Sequence, residues 1–140
     1  MERTLVLIKP EAVKANLQNE IIKRFKNAGL KKVVEQQLRL GDGLLKEHYA
    51  HHVKKPFFPG LIAYMKSGPV IAIVFEGENA VEKVRKVCGA TDPLKAEPGT
   101  ITKDLGTNVQ ENVVHASDSP ENALKEIARF FPQIKTALIK

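Results

Sequence analysis

The segment Asn112-Val113-Val114-His115-Ala116-Ser117-Asp118-Ser119 sets a histidine at the end of an apolar stretch and follows it with small residues bearing hydroxyl and carboxyl groups. Imidazole titrates near neutral pH. Either ring nitrogen can act as nucleophile or base once a partner fixes the proton on the other. Group-transfer or acid–base chemistry is therefore expected at His115. The other histidines, His48, His51 and His52, lie close together but have no cysteine or second ligand pair to complete a metal site, so no protein-held metal is expected. Cys88 is the one cysteine and cannot form an internal disulfide. A free cysteine of this kind is more often a buried packing residue than a reactive one.

The elements that must position His115 can be read from periodicity. Thr4-Leu5-Val6-Leu7-Ile8 is a continuous apolar run ended by Lys9-Pro10, the pattern of a central strand covered on both faces. From about Pro10 to Ala28, apolar residues recur at helical spacing and Gly29 supplies a stop. Residues 30 to 40 read as a strand, Leu44 to Val53 as a short helix, and Pro59 to Met65 as another. Pro69 to Phe75 is the second strong strand, closed by Glu76-Gly77. Asn79 is expected to cap a helix that Gly89 ends. Ala90 to Glu111 is rich in Gly, Pro, Thr and Asp and reads as a long loop, a length that in compact domains usually marks function. Val113 to His115 reads as a short strand. Ser119 and Pro120 then cap and start a last helix with a buried stripe of Ala123, Leu124, Ile127, Ala128 and Phe131. The order points to an α+β fold, βαββαβ, with an antiparallel four-stranded sheet covered by helices.

At 140 residues with 43% hydrophobic content, the chain fits one domain over residues 1–140. No apolar run reaches the roughly 20 residues needed to span a bilayer, and the start lacks a signal-peptide pattern, so a cytoplasmic protein is expected. Twenty-two Lys and Arg against sixteen Asp and Glu give a charge of +6, which favours phosphorylated ligands. The basic residues form no block of five or six, and there is no aromatic ladder, so nucleic acid is not expected as a partner.

The stretch Asn112, His115, Ala116, Ser117, Asp118 resembles the active-site signature of the nucleoside diphosphate kinases. The resemblance extends through Glu2-Arg3-Thr4-Leu5, Ile8-Lys9-Pro10, Lys55-Pro56-Phe57-Phe58, Ser67-Gly68-Pro69-Val70, Glu76-Gly77, Gly89-Ala90-Thr91-Asp92-Pro93 and Pro98-Gly99-Thr100-Ile101, in order and without evident gaps up to about residue 131. It implies a ferredoxin-like sheet and a ping-pong transfer of the γ-phosphate from a nucleoside triphosphate to a diphosphate through phosphorylated His115. It further implies that Glu126 orients the histidine with Ser117 bonded nearby, and that Tyr49 stands beside it. Lys9 and Arg85 would be the phosphate cations, Thr91 a phosphate-contacting hydroxyl, Asn112 a sugar and phosphate contact, and Phe57 the base-stacking ring with Leu61 beside it. Phe58 reads as core. Mg²⁺ would arrive as the nucleotide complex, held by phosphate oxygens. Members of the family form homo-oligomers, and the presence of Pro93 favours a hexamer over a tetramer.

The pattern breaks after Pro98-Gly99-Thr100-Ile101, where the family continues with Arg-Gly-Asp and this chain has Thr102-Lys103-Asp104. A phosphate-binding arginine is thereby lost, and Lys103 is the nearest residue to restore its charge. Gln110-Glu111 likewise replaces a common Gly-Arg pair. A non-catalytic binder and a phosphohistidine donor to other proteins are the rival readings. The joint presence of His115, Ser117, Glu126, Lys9, Arg85, Thr91 and Asn112 favours the kinase over a binder, which would not need them all.

Overall fold

The computed structural model describes residues 1–107 and 113–132. Four strands, β1 (Glu2–Ile8), β2 (Lys31–Leu38), β3 (Val70–Gly77) and β4 (Val114–Ala116), form one antiparallel sheet in the order β2-β3-β1-β4. This is the expected βαββαβ arrangement, with β1 central and the histidine strand at an edge. Among the described residues seven α-helices complete it: α1 (Pro10–Lys14), α2 (Gln18–Asn27), α3 (Asp42–His48), α4 (Phe58–Met65), α5 (Ala80–Cys88), α6 (Ile101–Leu105) and α7 (Pro120–Phe130).

Both faces of the two central strands are covered, which is why β1 and β3 read as unbroken apolar runs, while the edge strand β2 is exposed or half-buried along its length. Val6, Ile8, Ile71, Ile73 and Phe75 face α1, α2 and α5, where Ala12, Ile21, Phe25 and Val84 pack against them. The Phe25 and Phe75 rings meet at 4.9 Å. Leu5, Leu7, Ala72 and Val74 face the other way, onto Leu45, Met65, Phe58, Ile127 and Phe130 of α3, α4 and α7. Phe58 is thus core, as expected, and Cys88 is a buried packing residue whose thiol burial pushes up to about 12. Among the described residues no helix is long and apolar enough to cross a membrane.

Local departures from the sequence reading have identifiable causes. The expected helix from Pro10 to Ala28 is broken at Asn16, which adopts φ 59°, a left-handed conformation that asparagine tolerates better than most residues. The segment from Leu44 to Val53 ends its α-helical part at His48 and continues as a 3₁₀ turn, Ala50–His52. Asn79 sits at the start of α5 but at φ 51° and makes no side-chain cap. The carboxylate of Glu2 does that work across the fold, accepting from the Val81 amide at 2.8 Å. Ser119 caps α7 as expected, accepting from the Asn122 amide. Within that helix Leu124 is 55% exposed, so the buried stripe is Ala123, Ile127 and Phe130, with Phe131 buried just past the helix end.

The long loop after α5 carries a helix that periodicity did not reveal, because α6 is a single turn or so. Thr100 caps it, accepting from the Lys103 amide and donating to the Glu97 carbonyl. Gly89 makes this possible. It has φ 81°, and a Cβ there would lie 2.6 Å from Thr100 Cβ and Oγ1. Gly89→Ala is therefore expected to destabilise the fold by about 2–4 kcal/mol, combining backbone strain with the displacement of a cap. Gly60→Ala, inside α4 where a Cβ meets nothing within 4 Å, serves as the control expected to be neutral or slightly stabilising in urea denaturation.

Candidate active site

His115 enters the site through register. In the β1–β4 pairing it lies opposite Leu7, and paired residues on neighbouring strands project to one face. Leu7 faces α3 and α7, so His115 does too, and there it meets α7. Its Nε2 lies 3.2 Å from Glu126 Oε1. The same oxygen accepts a 2.7 Å hydrogen bond from Ser117 Oγ. An ionised carboxylate can only accept, so the imidazole proton belongs on Nε2 and the lone pair on Nδ1. Burial would raise the Glu126 carboxyl, but the hydrogen bond and charge of His115, and the Ser117 hydroxyl, outweigh it and hold the group below its ordinary range.

The backbone ahead of His115 is strained. Val113 has φ 81°, a conformation rare for a β-branched residue. Two contacts hold it there: its amide donates to Glu11 Oε2 at 3.1 Å, and its carbonyl accepts from the Lys9 amide at 2.8 Å. The other Glu11 oxygen accepts from the Tyr64 hydroxyl.

His115 opens onto a cleft of about 1160 Å³. Lys9, Tyr49, Phe57, Leu61, Arg85, Thr91 and Thr102 all line it, so the structure brings together nearly every residue singled out in the sequence. Lys9 is only 7% exposed. Burial lowers its ammonium to about 8, with Glu11 pulling the other way. Burial, aided by the negative charge of Glu126, pushes the Tyr49 hydroxyl up to about 12, so it stays protonated. Phe57 is 49% exposed at the cleft, available for stacking, while Leu61 beneath it is 9% exposed. Asn112 lies outside the described residues.

Lys103 is not brought into the cleft. Capping at Thr100 fixes the start of α6 so that Thr102, 2% exposed, faces the site while Lys103 points to solvent. The cation that sequence reasoning missed is Lys86, which lines the cleft one residue beyond Arg85 and pairs with Glu82 at 3.5 Å. Its one signal in the sequence was its place beside Arg85 in a short amphipathic helix.

A second residue missed in the sequence is His48. It is buried at the end of α3, its ring edge-on to His115 with centroids 4.7 Å apart, and further edge-on contacts reach Tyr49 and Phe130. His51 and His52 pack against each other instead, tilted with centroids 3.8 Å apart, so the three neighbouring histidines do not converge. His48, His115 and Glu126 do place ligand-capable atoms within 4.8 Å. Two imidazoles and one carboxylate do not suit Mg²⁺, which prefers an octahedron of oxygens. The Nδ1 of His48 is moreover occupied by Arg129 Nη1 at 3.0 Å, which leaves the ring proton on Nε2.

Comparison with known proteins agrees with this geometry. A family model described as nucleoside diphosphate kinase matches residues 2–136. A nucleoside diphosphate kinase of Dehalococcoides mccartyi is 52% identical over 133 residues, covering 95% of this chain and 94% of the relative. Two crystal structures of such kinases superpose closely. That from Encephalitozoon cuniculi has a TM-score of 0.91 at 40% identity, covering 94% of this chain and 89% of its own. That from Aquifex aeolicus has a TM-score of 0.88 at 39% identity, covering 93% and 94%. A sheet that delivers a histidine to a carboxylate at the head of a cation-lined cleft, and relatives that match it along almost the full chain, lead to one conclusion: this chain belongs to the nucleoside diphosphate kinase family.

Proposed function

We propose that the family's reaction, transfer of the γ-phosphate from a nucleoside triphosphate to a nucleoside diphosphate through a phosphohistidine, runs in this chain on Nδ1 of His115. The observation that carries the assignment is the bond from His115 Nε2 to Glu126, which places the free lone pair on the nitrogen that remains. In the first half-reaction that lone pair forms a bond to the γ-phosphorus. The bond from phosphorus to the β–γ bridging oxygen breaks, and the diphosphate leaves with its electron pair. In the second, a terminal oxygen of an incoming diphosphate takes the phosphoryl group, and the electrons of the P–N bond return to Nδ1. The ring gains positive charge on phosphorylation, and the Glu126 carboxylate is placed to balance it.

Phosphoryl transfer leaves charge on the phosphate oxygens and asks the protein chiefly for position and countercharge. Lys9 and Arg85 supply the countercharge, with hydroxyls from Thr91 and Tyr49 beside them, and Asn112 is assigned to the sugar and phosphate. Phe57 stacks on the base with Leu61 behind it. A π face is common to all bases, so discrimination among them is weak. Family members act on nucleotides with a divalent cation. We take the cation here to be Mg²⁺, brought in as the nucleotide complex and held by phosphate oxygens. We also assign the chain to the cytoplasm and to a homo-oligomer, a hexamer before a tetramer. Leu94, 87% exposed beside Pro93, supports an intersubunit contact in that loop.

Incubation with labelled ATP and Mg²⁺ is expected to label His115 in an acid-labile, base-stable form, and a nucleoside diphosphate is expected to discharge the label. His115→Ala should abolish both. Substantial exchange by the mutant rejects the assignment, and label that passes to proteins but never to diphosphates supports a protein phosphodonor instead.

The pH profile tests Lys9. Its charge is present below about 8 and is lost as pH rises through that value. The kcat/KM of the free enzyme should therefore fall by about tenfold per unit on the alkaline side, and Lys9→Arg should move that limb upward.

Thr102 tests the missing arginine. With Lys103 turned away from the cleft, Lys103→Ala is expected to leave kcat/KM near the parent value. Thr102→Arg should raise it by about tenfold, the scale of one charge-assisted hydrogen bond. Loss of activity in Lys103→Ala would show that α6 rearranges around the nucleotide.

A further inference from the structure

Two histidines and one carboxylate meet behind the cleft, where only His115 reaches its lining. His48 and His115 both place a ring nitrogen within 4.8 Å of the Glu126 carboxylate, yet only His115 is bonded to it. A protonated His48 would be the stronger partner for that carboxylate. It would draw Glu126 away and leave the His115 proton free to move to Nδ1, the nitrogen that must attack.

Arg129 stands one turn beyond Glu126 on α7. Its Nη1 lies 3.0 Å from His48 Nδ1, and its Nε contacts Glu47 Oε1 at 3.2 Å. A guanidinium has donors only, so this contact requires an unprotonated Nδ1 on His48. The proton of the neutral ring then sits on Nε2, an atom that is buried with no hydrogen-bond partner among the described residues. We propose that Arg129 is a positioning residue that reserves Glu126 for His115, by holding His48 as the neutral ring protonated on Nε2. Arg129 does not line the cleft, so its influence on the nucleophile runs through His48.

Burial is the largest influence on His48 and lowers its proton affinity; His115 from β4, Arg129 from α7 and His51 from the 3₁₀ turn also disfavour its protonation, while Glu126 from α7 favours it. Glu47 and Lys125 border the same depression as His48, Glu126 and Arg129. Removing Arg129 strips away a cation and frees Nδ1 to accept a proton, so the charged form of His48 should appear at higher pH.

The inference rests on His115 as the nucleophile, and one measurement is independent of it. In ¹⁵N-histidine-labelled protein at neutral pH, His48 is expected to show an unprotonated Nδ1 and a protonated Nε2. A His48 protonated on Nδ1 in the parent overturns the proposal, even if His115 is phosphorylated as expected. Conversely, the parent spectrum can hold when His115 takes no label, in which case the functional reading has failed and the tautomer lock has not.

The kinetic arm uses Arg129→Leu, whose kcat should fall severalfold with KM little changed, because His48 is no longer held through Nδ1 and competes for Glu126. Arg129→Lys, which keeps a donor and a charge, should hold kcat near the parent. Adding His48→Phe to Arg129→Leu should restore it, since a ring with no N–H cannot compete for Glu126. An unchanged kcat in folded Arg129→Leu, or a kcat that stays low in the double mutant, rejects the role. Should Arg129→Leu fail to fold, the parent spectrum and Arg129→Lys decide alone.

Discussion

The hydrogen bond between His115 and Glu126 is the contact around which the rest of the site is arranged. It joins a three-residue edge strand to a helix that begins only four residues later, so neither partner can be placed without the other. β4 has just three paired positions on β1, and the Ser117 amide adds one more bond to the Leu5 carbonyl. A strand this short gives little stability of its own. The apolar side of α7, through Ile127 and Phe130, supplies the anchorage by packing on the face of the sheet to which His115 projects. Ser117 then uses its hydroxyl on the same carboxylate oxygen, which fixes the rotamer of Glu126 from a second direction.

Much of this was legible in the sequence where a pattern repeats or a cap has a fixed chemistry. β1 and β3 announced themselves because a strand covered on both faces needs an apolar residue at every position. The start of α7 was legible because Ser119-Pro120 combines a side-chain acceptor with a residue that lacks an amide donor. The break at Asn16, the cap that Glu2 lends to α5 and the short α6 were not. Each depends on a single backbone conformation or on a partner tens of residues away, and neither leaves a period in the sequence. Glu2 and Val81 are 79 residues apart.

The site divided along the same line. His115, Lys9, Arg85, Thr91, Thr102, Tyr49, Phe57 and Leu61 were named from motifs and all reach one cleft. Lys103 was named from its adjacency to Thr102, and adjacency failed because neighbouring residues on a helix point about 100° apart. His48 and Arg129 were passed over for the opposite reason. They are 81 residues apart and share no motif, and only the packing of α3 against α7 brings an imidazole and a guanidinium together behind the nucleophile.

Glu11 ties the cation side of the cleft to the nucleophile side. Its carboxylate holds Val113 in a conformation that costs of order 1–3 kcal/mol, and the same charge partly offsets the burial that weakens Lys9. α1, only five residues long and set off by Pro10 and Asn16, places Glu11 between the two. A longer, regular helix running on from Pro10 would satisfy local propensity better. The break after Lys14 lets this turn lie at the end of β1, with one carboxylate oxygen on the backbone that leads to His115 and the other on Tyr64 beside Lys9. The strain at Val113 and the weakened proton on Lys9 are therefore not separate costs. Both follow from placing a buried ammonium and a strand-edge histidine at the same cleft, and both are moderated by the same carboxylate.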